Sequence, residues 1–313
     1  MSAESQPQPA PKTGKPERRV GIADIARMYA DGQRISMLTA YDYPTARIVD
    51  DAGIPMILVG DSVGMVMLGY EETVRVTMDE MLHHVKAVVR GTRRTLVVAD
   101  MPFLSYGVTE QASLEHAGRF ISEGGAHAVK VEGGVRSART IETIARSGIP
   151  VMGHIGLTPQ AVYGLGGHRV QGKTVESARK LIADAFAVQE SGAFAVVLEL
   201  APAELAAAVT ERLKIPTIGI GAGAGCSGQV QVITDLLGLT YGFIPRHAKR
   251  YEEIGLRMSE AVTAYATDVA AGTFPGPEHS SSMDPAVLAE VLGAGALDRA
   301  EMSDEPIPLD RDL

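Results

Sequence analysis

From residue 35 onward, short apolar runs rich in Val and Ile alternate with longer amphipathic segments. Eight such runs fall at 35–40, 56–60, 95–99, 127–131, 150–153, 194–198, 216–220 and 240–244. Apolar runs of this length, bounded by turn residues, read as buried strands. The segments 44–52, 78–90, 110–123, 136–146, 175–190, 203–213 and 229–237 are long enough for helices, and further helices are expected at 22–29 and 247–269. Thr77-Met78-Asp79-Glu80 is a capping box. Thr109, and Thr158 followed by Pro159, are N-cap candidates. Gly53, Gly91, Gly124, Gly148 and Gly192 each follow a helical segment, where a left-handed residue is readily supplied by glycine. Regular strand–helix alternation predicts parallel strands joined by right-handed crossovers, and eight units close a (β/α)8 TIM barrel. A doubly wound open sheet is the alternative, but it rarely needs eight such even repeats.

The chain has 313 residues, 45% of them hydrophobic and 21% charged, enough for a large core. Residues 1–19 are Pro-, Gln- and Lys-rich and read as a disordered N-terminal tail; residues 20–275 are expected to make the barrel, and residues 276–313 an acidic C-terminal extension with a short helix at 285–292. The formal charge of -9 argues against nucleic acid or an anionic membrane as partner, and most of it belongs to that extension. A single cysteine, Cys226, excludes an intrachain disulfide and suits a reducing cytoplasm; it reads as inert. No signal sequence or membrane-length apolar run is present, so a soluble cytoplasmic protein is expected.

Several of the strands end on a polar residue. Asp61, Asp100 and Glu132 follow the second, third and fourth, which makes them neighbours on one rim. Each carboxylate alone could cap the next helix. Three in succession describe a hard-oxygen site for Mg2+ or Mn2+ rather than Zn2+. Lys130 and Glu132, two apart on one strand, point to the same face, the lumen of a barrel. A lysine there must be ion-paired or bound to an anion; an internal ion pair, a clamp on an anionic substrate and a Schiff-base lysine all remain open. His154 ends the fifth strand and reads either as a satisfied interior histidine or as a site residue. Glu199 ends the sixth among apolar residues; no partner stands near it in sequence, and such a carboxylate should titrate high and suit a general base. The glycine-rich stretch 163–173 is either a mobile lid or an ordered loop that needs positive φ. Gly223-Ala224-Gly225-Cys226-Ser227-Gly228 matches GxGxxG, but it lies in a late unit and no acid ends the run 240–244 to hold a ribose, so it reads as a close-approach loop and not a dinucleotide site.

The blocks Met37-Leu38-Thr39-Ala40-Tyr41-Asp42-Tyr43, Leu58-Val59-Gly60-Asp61-Ser62, Ala99-Asp100-Met101-Pro102-Phe103, Lys130-Val131-Glu132-Gly133-Gly134, Gly153-His154-Ile155-Gly156-Leu157-Thr158-Pro159-Gln160 and Ile218-Gly219-Ile220-Gly221-Ala222-Gly223 resemble the ketopantoate hydroxymethyltransferase family over about residues 20–280. The resemblance implies a barrel of the phosphoenolpyruvate/pyruvate superfamily type. It implies transfer of a hydroxymethyl group from 5,10-methylenetetrahydrofolate to 3-methyl-2-oxobutanoate through a Mg2+-stabilised enolate, yielding ketopantoate (2-dehydropantoate) and tetrahydrofolate, the first step of pantothenate and coenzyme A biosynthesis. Carried over by position, Asp61 and Asp100 bind Mg2+ with Glu132 completing or supporting its shell. Asp61, Ser62, Asp100, Lys130 and His154 bind the keto acid, and Glu199 is the catalytic base. The resemblance also implies a homodecamer, a pentamer of dimers. The chain departs from the family at Ala161 and Tyr163, where Ser and Asn are common, and across residues 224–228.

Overall fold

The computed structural model describes residues 18–240, 242 and 244–293. Most of the expected tail and the end of the acidic extension therefore lie outside the described residues. Arg19, at the tail's edge, is anchored by its guanidinium to Thr92 and to the Thr95 carbonyl.

Eight strands form the barrel: β1 (Ile35–Thr39), β2 (Met56–Val59), β3 (Leu96–Asp100), β4 (Ala128–Glu132), β5 (Val151–Gly156), β6 (Ala195–Glu199), β7 (Thr217–Ile220) and β8 (Gly228–Gln231). All neighbours pair in parallel, and β8 closes onto β1 with Ile35 opposite Gly228. The expected (β/α)8 barrel is the fold. The helices are α1 (Ile22–Ala30), α2 (Tyr43–Asp51), α3 (Val63–Val66), α4 (Met78–Gly91), α5 (Glu110–Ser122), α6 (Ala138–Arg146), α7 (Val162–Leu165), α8 (Val175–Glu190), α9 (Ala203–Thr210), α10 (Ile233–Leu236), α11 (Ile254–Ala271) and α12 (Pro285–Gly293).

Strand alternation sorts the core into two clusters. Met37, Leu58, Val98, Met152, Val197 and Val230 belong to the cluster that fills the lumen. Val97, Val129 and Val196, of opposite parity, pack outward against helices. Ile25 of α1 joins the lumen cluster and is fully buried, so α1 plugs the N-terminal end. Each such apolar side chain contributes about 1.5–3 kcal/mol by leaving water. Thr77 and Glu80 make the expected reciprocal cap on α4, and Thr109 caps α5. Thr158 makes no side-chain cap; Pro159 instead opens a short 3-10 turn. Gly91 and Gly124 do not take the left-handed conformation expected of them. A Cβ on Gly91 would meet the Tyr43 carbonyl at 2.6 Å, so its smallness serves the packing of α4 on α2.

The eighth strand is not at 240–244. It is Gly228–Gln231, inside the segment expected to open a helix, and only the short α10 follows it. Residues 240, 242 and 244 carry no strand, and 241 and 243 lie outside the described residues. Parallel strands usually need a crossover of a dozen or more residues, yet β7 and β8 are joined by residues 221–227 alone. The link runs back along α9 because its glycines allow close approach. A Cβ on Gly223 would meet the Ala203 Cβ at 2.5 Å, and one on Gly225 the Ala207 Cβ at 2.6 Å. The GxGxxG match thus leads into a strand rather than a helix, which removes the dinucleotide context altogether.

The chain divides into two compact units, through Gly255 and from Leu256. The last long helix begins at Ile254, later than the expected 247, and supplies most of its residues to the second unit, where α12 realises the expected helix at 285–292. Neither helix has a buried residue. Among the described residues no helix is long and apolar enough to cross a membrane.

Candidate active site

Lumen parity decides which strand ends meet. Asp100, Lys130, Glu132, His154 and Glu199 share the inward parity of β3, β4, β5 and β6, and the register sets Asp100 opposite Lys130, Glu132 opposite His154 and Gly156 opposite Glu199. Asp61 lies two residues past the end of β2. Its backbone N–H donates to Asp100 Oδ2 at 3.1 Å. Gly60 before it must be small, since a Cβ there would meet Ser62 Oγ at 2.8 Å.

All seven side chains named from the sequence lie on this one rim. Lys130 Nζ stands 2.7 Å from Asp100 Oδ1 and 4.0 Å from Glu132 Oε1. His154 Nδ1 stands 3.2 Å from Glu132 Oε1, and its Nε2 3.1 Å from Glu199 Oε2. Ser62 Oγ shares a 2.8 Å hydrogen bond with the hydroxyl of buried Tyr41. The partner that Glu199 lacked in the local sequence is therefore His154, supplied by the neighbouring strand.

Burial pushes the Lys130 amine toward neutrality, but the carboxylates of Asp100, Glu132 and Asp61 outweigh it and raise its pKa. An amine held in its charged form by three carboxylates disfavours the Schiff-base reading. Burial and the Lys130 charge push His154 down, yet Glu132 and Glu199 outweigh them and hold its pKa at about 9. Its Nδ1 also lies 2.8 Å from Lys130 Nζ, where the ammonium can donate only to an unprotonated ring nitrogen, so the carboxylates favour the charged ring and the lysine the neutral one. Burial, then the charges of Asp100 and Glu132, raise Asp61 well above the usual carboxylate range. Burial likewise raises Asp100 despite its Lys130 partner.

Four carboxylates therefore face Lys130 and His154 on a buried rim. Among the described residues no group of three or more His, Cys, Asp or Glu side chains converges as a ready-made metal cage. The donor chemistry nevertheless fits a hard divalent cation, with all-oxygen ligands, a surplus of negative charge and a carboxylate, Asp61, destabilised by its neighbours.

Reading strand ends missed Gln160, Tyr106 and Tyr41. Gln160, 5% exposed, donates from Nε2 to Asp61 Oδ2 at 2.8 Å and to the Met101 carbonyl at 2.9 Å. Its backbone N–H donates to Glu132 Oε2 at 3.1 Å. Tyr106 donates its hydroxyl to Gln160 Oε1 at 2.7 Å and accepts from the Glu132 N–H. The sequence held one signal, a glutamine directly after Thr158-Pro159 at the end of an apolar run, but no strand parity places it.

In the glycine-rich loop Gly166, Gly167 and Gly172 all have positive φ, as the ordered-loop reading requires. The Gln171 N–H donates to the Leu200 carbonyl at 2.8 Å, and His168 Nε2 lies 3.5 Å from Glu72 Oε2. Leu200 itself has a φ of 44°, a costly conformation for a branched residue, directly after Glu199. An open pocket of about 500 Å³ lined by Arg34, Ser36, Cys226 and Gln229 lies at the other, N-terminal end of β1 and β8, away from this cluster.

Residues 19–277 match the family model described as ketopantoate hydroxymethyltransferase. The chain is 63% identical over 276 residues to the 3-methyl-2-oxobutanoate hydroxymethyltransferase of Chloroflexus aurantiacus, covering 88% of this chain and 98% of that protein. It is 55% identical over 273 residues to the protein of the same description from Dehalococcoides mccartyi, covering 87% and 97%. Among solved structures it resembles phosphonopyruvate hydrolase (TM-score 0.54, 11% identity, 88% of this chain and 96% of that one). The phosphoenolpyruvate phosphomutase of Streptomyces platensis subsp. rosaceus is similar at TM-score 0.54 and 17% identity, with the same coverage. At these identities the structures speak for the fold alone.

Proposed function

The chain belongs to the ketopantoate hydroxymethyltransferase family, and on that premise we propose that it transfers a hydroxymethyl group from 5,10-methylenetetrahydrofolate to 3-methyl-2-oxobutanoate. The products are 2-dehydropantoate and tetrahydrofolate, in the cytoplasm, as the entry to pantothenate synthesis. The observation that carries this reading is the linked row Asp100–Lys130–Glu132–His154–Glu199 along the rim. It sets fixed positive charge beside a carboxylate base, as deprotonation next to a keto acid requires.

Asp61 and Asp100 would hold Mg2+, with Glu132 supporting them. When bound there, the ion supplies Lewis-acid polarisation of the keto oxygen, typically worth several kcal/mol. The Lys130 ammonium binds and neutralises the substrate carboxylate, assisted by the Ser62 hydroxyl, which Tyr41 orients. Glu199 Oε takes the C3 proton. The electron pair released at C3 forms the new bond to the folate-borne methylene carbon as one of its two C–N bonds breaks; the oxygen of a water molecule replaces the second, and the proton held by Glu199 and one proton of the water go to the two folate nitrogens. His154 fixes the Glu199 carboxylate through Nε2 and contacts the substrate.

The assembly is part of the same reading: a homodecamer. Met258, Val262, Tyr265 and Val269 of α11 are exposed, and their spacing of four, three and four makes one apolar seam of coiled-coil type. A second copy of this chain is the occupant that suits it.

The test is an assay of 3-methyl-2-oxobutanoate with methylenetetrahydrofolate and Mg2+, with and without EDTA. Product formation that EDTA abolishes and Mg2+ restores is expected. No turnover of this pair under any metal condition overturns the reading.

A further inference from the structure

Each of the three clustered carboxylates has one oxygen tied by a neutral N–H. Asp100 Oδ2 accepts from the Asp61 backbone at 3.1 Å, Asp61 Oδ2 from Gln160 Nε2 at 2.8 Å, and Glu132 Oε2 from the Gln160 backbone at 3.1 Å. The second oxygens of Asp100 and Glu132 face cationic side chains instead. Asp61 Oδ1 receives no hydrogen bond among the described residues. Two of the three ties therefore come from one residue that is not itself charged.

The amide of Gln160 can be placed only one way. Its nitrogen meets two acceptors, Asp61 Oδ2 and the Met101 carbonyl, and its oxygen meets a donor, the Tyr106 hydroxyl. A flipped amide would put its oxygen against two acceptors, Asp61 Oδ2 and the Met101 carbonyl, and would turn its NH2 toward a Tyr106 hydroxyl that already accepts from the Glu132 N–H. The same Tyr106 hydroxyl accepts the Glu132 N–H at 3.2 Å, so side chain and backbone of the glutamine brace the ends of β2 and β4 together. The turn that begins at Pro159 carries the residue across the rim.

Resting on the function proposed above, we infer that Gln160 is the positioning residue of the cation site: it fixes which oxygens of Asp61 and Glu132 are left to a divalent cation, with Tyr106 locking its amide. Groups that orient metal-binding carboxylates by hydrogen bonding commonly set the affinity of the site.

The experiment measures binding of Mn2+ alone to the full-length protein by calorimetry, and kcat against Mg2+ concentration. Gln160→Leu keeps the backbone N–H and nearly the volume but loses the amide. The expected result is Mn2+ binding weaker by about 10–100-fold, with most of kcat recovered at saturating Mg2+ and with unchanged circular dichroism. Tyr106→Phe should weaken binding in the same direction by about 2–10-fold, the worth of one hydrogen bond. Wild-type Mn2+ affinity in Gln160→Leu overturns the inference and leaves the proposed function standing, and so does a lowered kcat that saturating Mg2+ does not restore. If Gln160→Leu does not fold, Tyr106→Phe decides, and unchanged affinity there overturns the inference. A wild-type protein that binds no Mn2+ overturns both the inference and the metal part of the function.

Discussion

His154 Nε2 lies 3.1 Å from Glu199 Oε2, a pair made across β5 and β6 at the register where Gly156 stands opposite Glu199. The glycine is what lets the two strands meet there, since a Cβ on Gly156 would sit 2.2 Å from the Glu199 carbonyl oxygen. The carboxylate assigned as base is thus held by the His154 ring rather than left alone among apolar side chains.

Replacing Glu199 by Gln should remove the proton acceptor while keeping the side-chain shape. We expect kcat to fall by about 10²–10⁴-fold and hydrogen–deuterium exchange at C3 of 3-methyl-2-oxobutanoate to stop with it. Exchange at the wild-type rate, followed by NMR, would remove Glu199 from the role of base.

Metal removal should act on binding before chemistry. With Asp100→Ala, or with EDTA, calorimetric binding of the keto acid should be lost, because the charge that would gather its oxygens is gone. Full binding of the keto acid by metal-free protein would sink that part of the proposal.

Acid stability should depend on two groups far from the site. Burial pushes the Asp50 carboxyl up, but the backbone N–H groups of Arg93, Arg94 and Thr95 and the Thr95 hydroxyl outweigh it and hold its pKa below the usual range. A depressed acid contributes stability above its unfolded pKa, near 3.9, and loses it as pH falls through the folded value. His127 is lowered to about 4, chiefly by burial, while the Val97 N–H donates to its Nδ1. The unfolded chain takes up that proton first, from about pH 6.5 downward, so the native state loses stability between there and about pH 4. In urea titrations, Asp50→Ala should cost about 2–4 kcal/mol at pH 7. His127→Gln should flatten the pH slope between 6.5 and 4; an unchanged slope would mean that His127 does not set it.

Val262→Glu places a charge in the apolar seam of α11. Sedimentation velocity should show a smaller species than wild type, with the barrel's circular dichroism retained. A variant that sediments as wild type does would rule out this helix as an assembly surface.

Much of the barrel was legible in the sequence because its signals are local. Buried parallel strands are short and apolar on both faces, the caps at Thr77 and Thr109 are chemistry within one turn, and alternation of strand and helix implies crossovers. Strand-end parity also predicted that Lys130 and Glu132 share the lumen, because residues two apart on a strand always share a face. The eighth strand went wrong for an equally physical reason. Gly228-Gln229-Val230-Gln231 has too few apolar residues to register as a buried run, and the link that feeds it replaces a helix with glycines laid on Ala203 and Ala207, a fit visible only once α9 is in place. The seven residues named from the family resemblance lie together on one rim in spite of that error. What no local pattern could supply was the partnership of residues distant in sequence. His154 answers Glu199 because the register of β5 and β6 brings them together. Gln160 reaches Asp61, 99 positions away, because barrel closure puts the turn after β5 over the end of β2. The sequence by itself determined seven of the eight strands and the residues capable of chemistry; only the closed tertiary structure decided where the eighth strand lies and which side chains meet across the rim, since those distances are set by strand register and not by spacing along the chain.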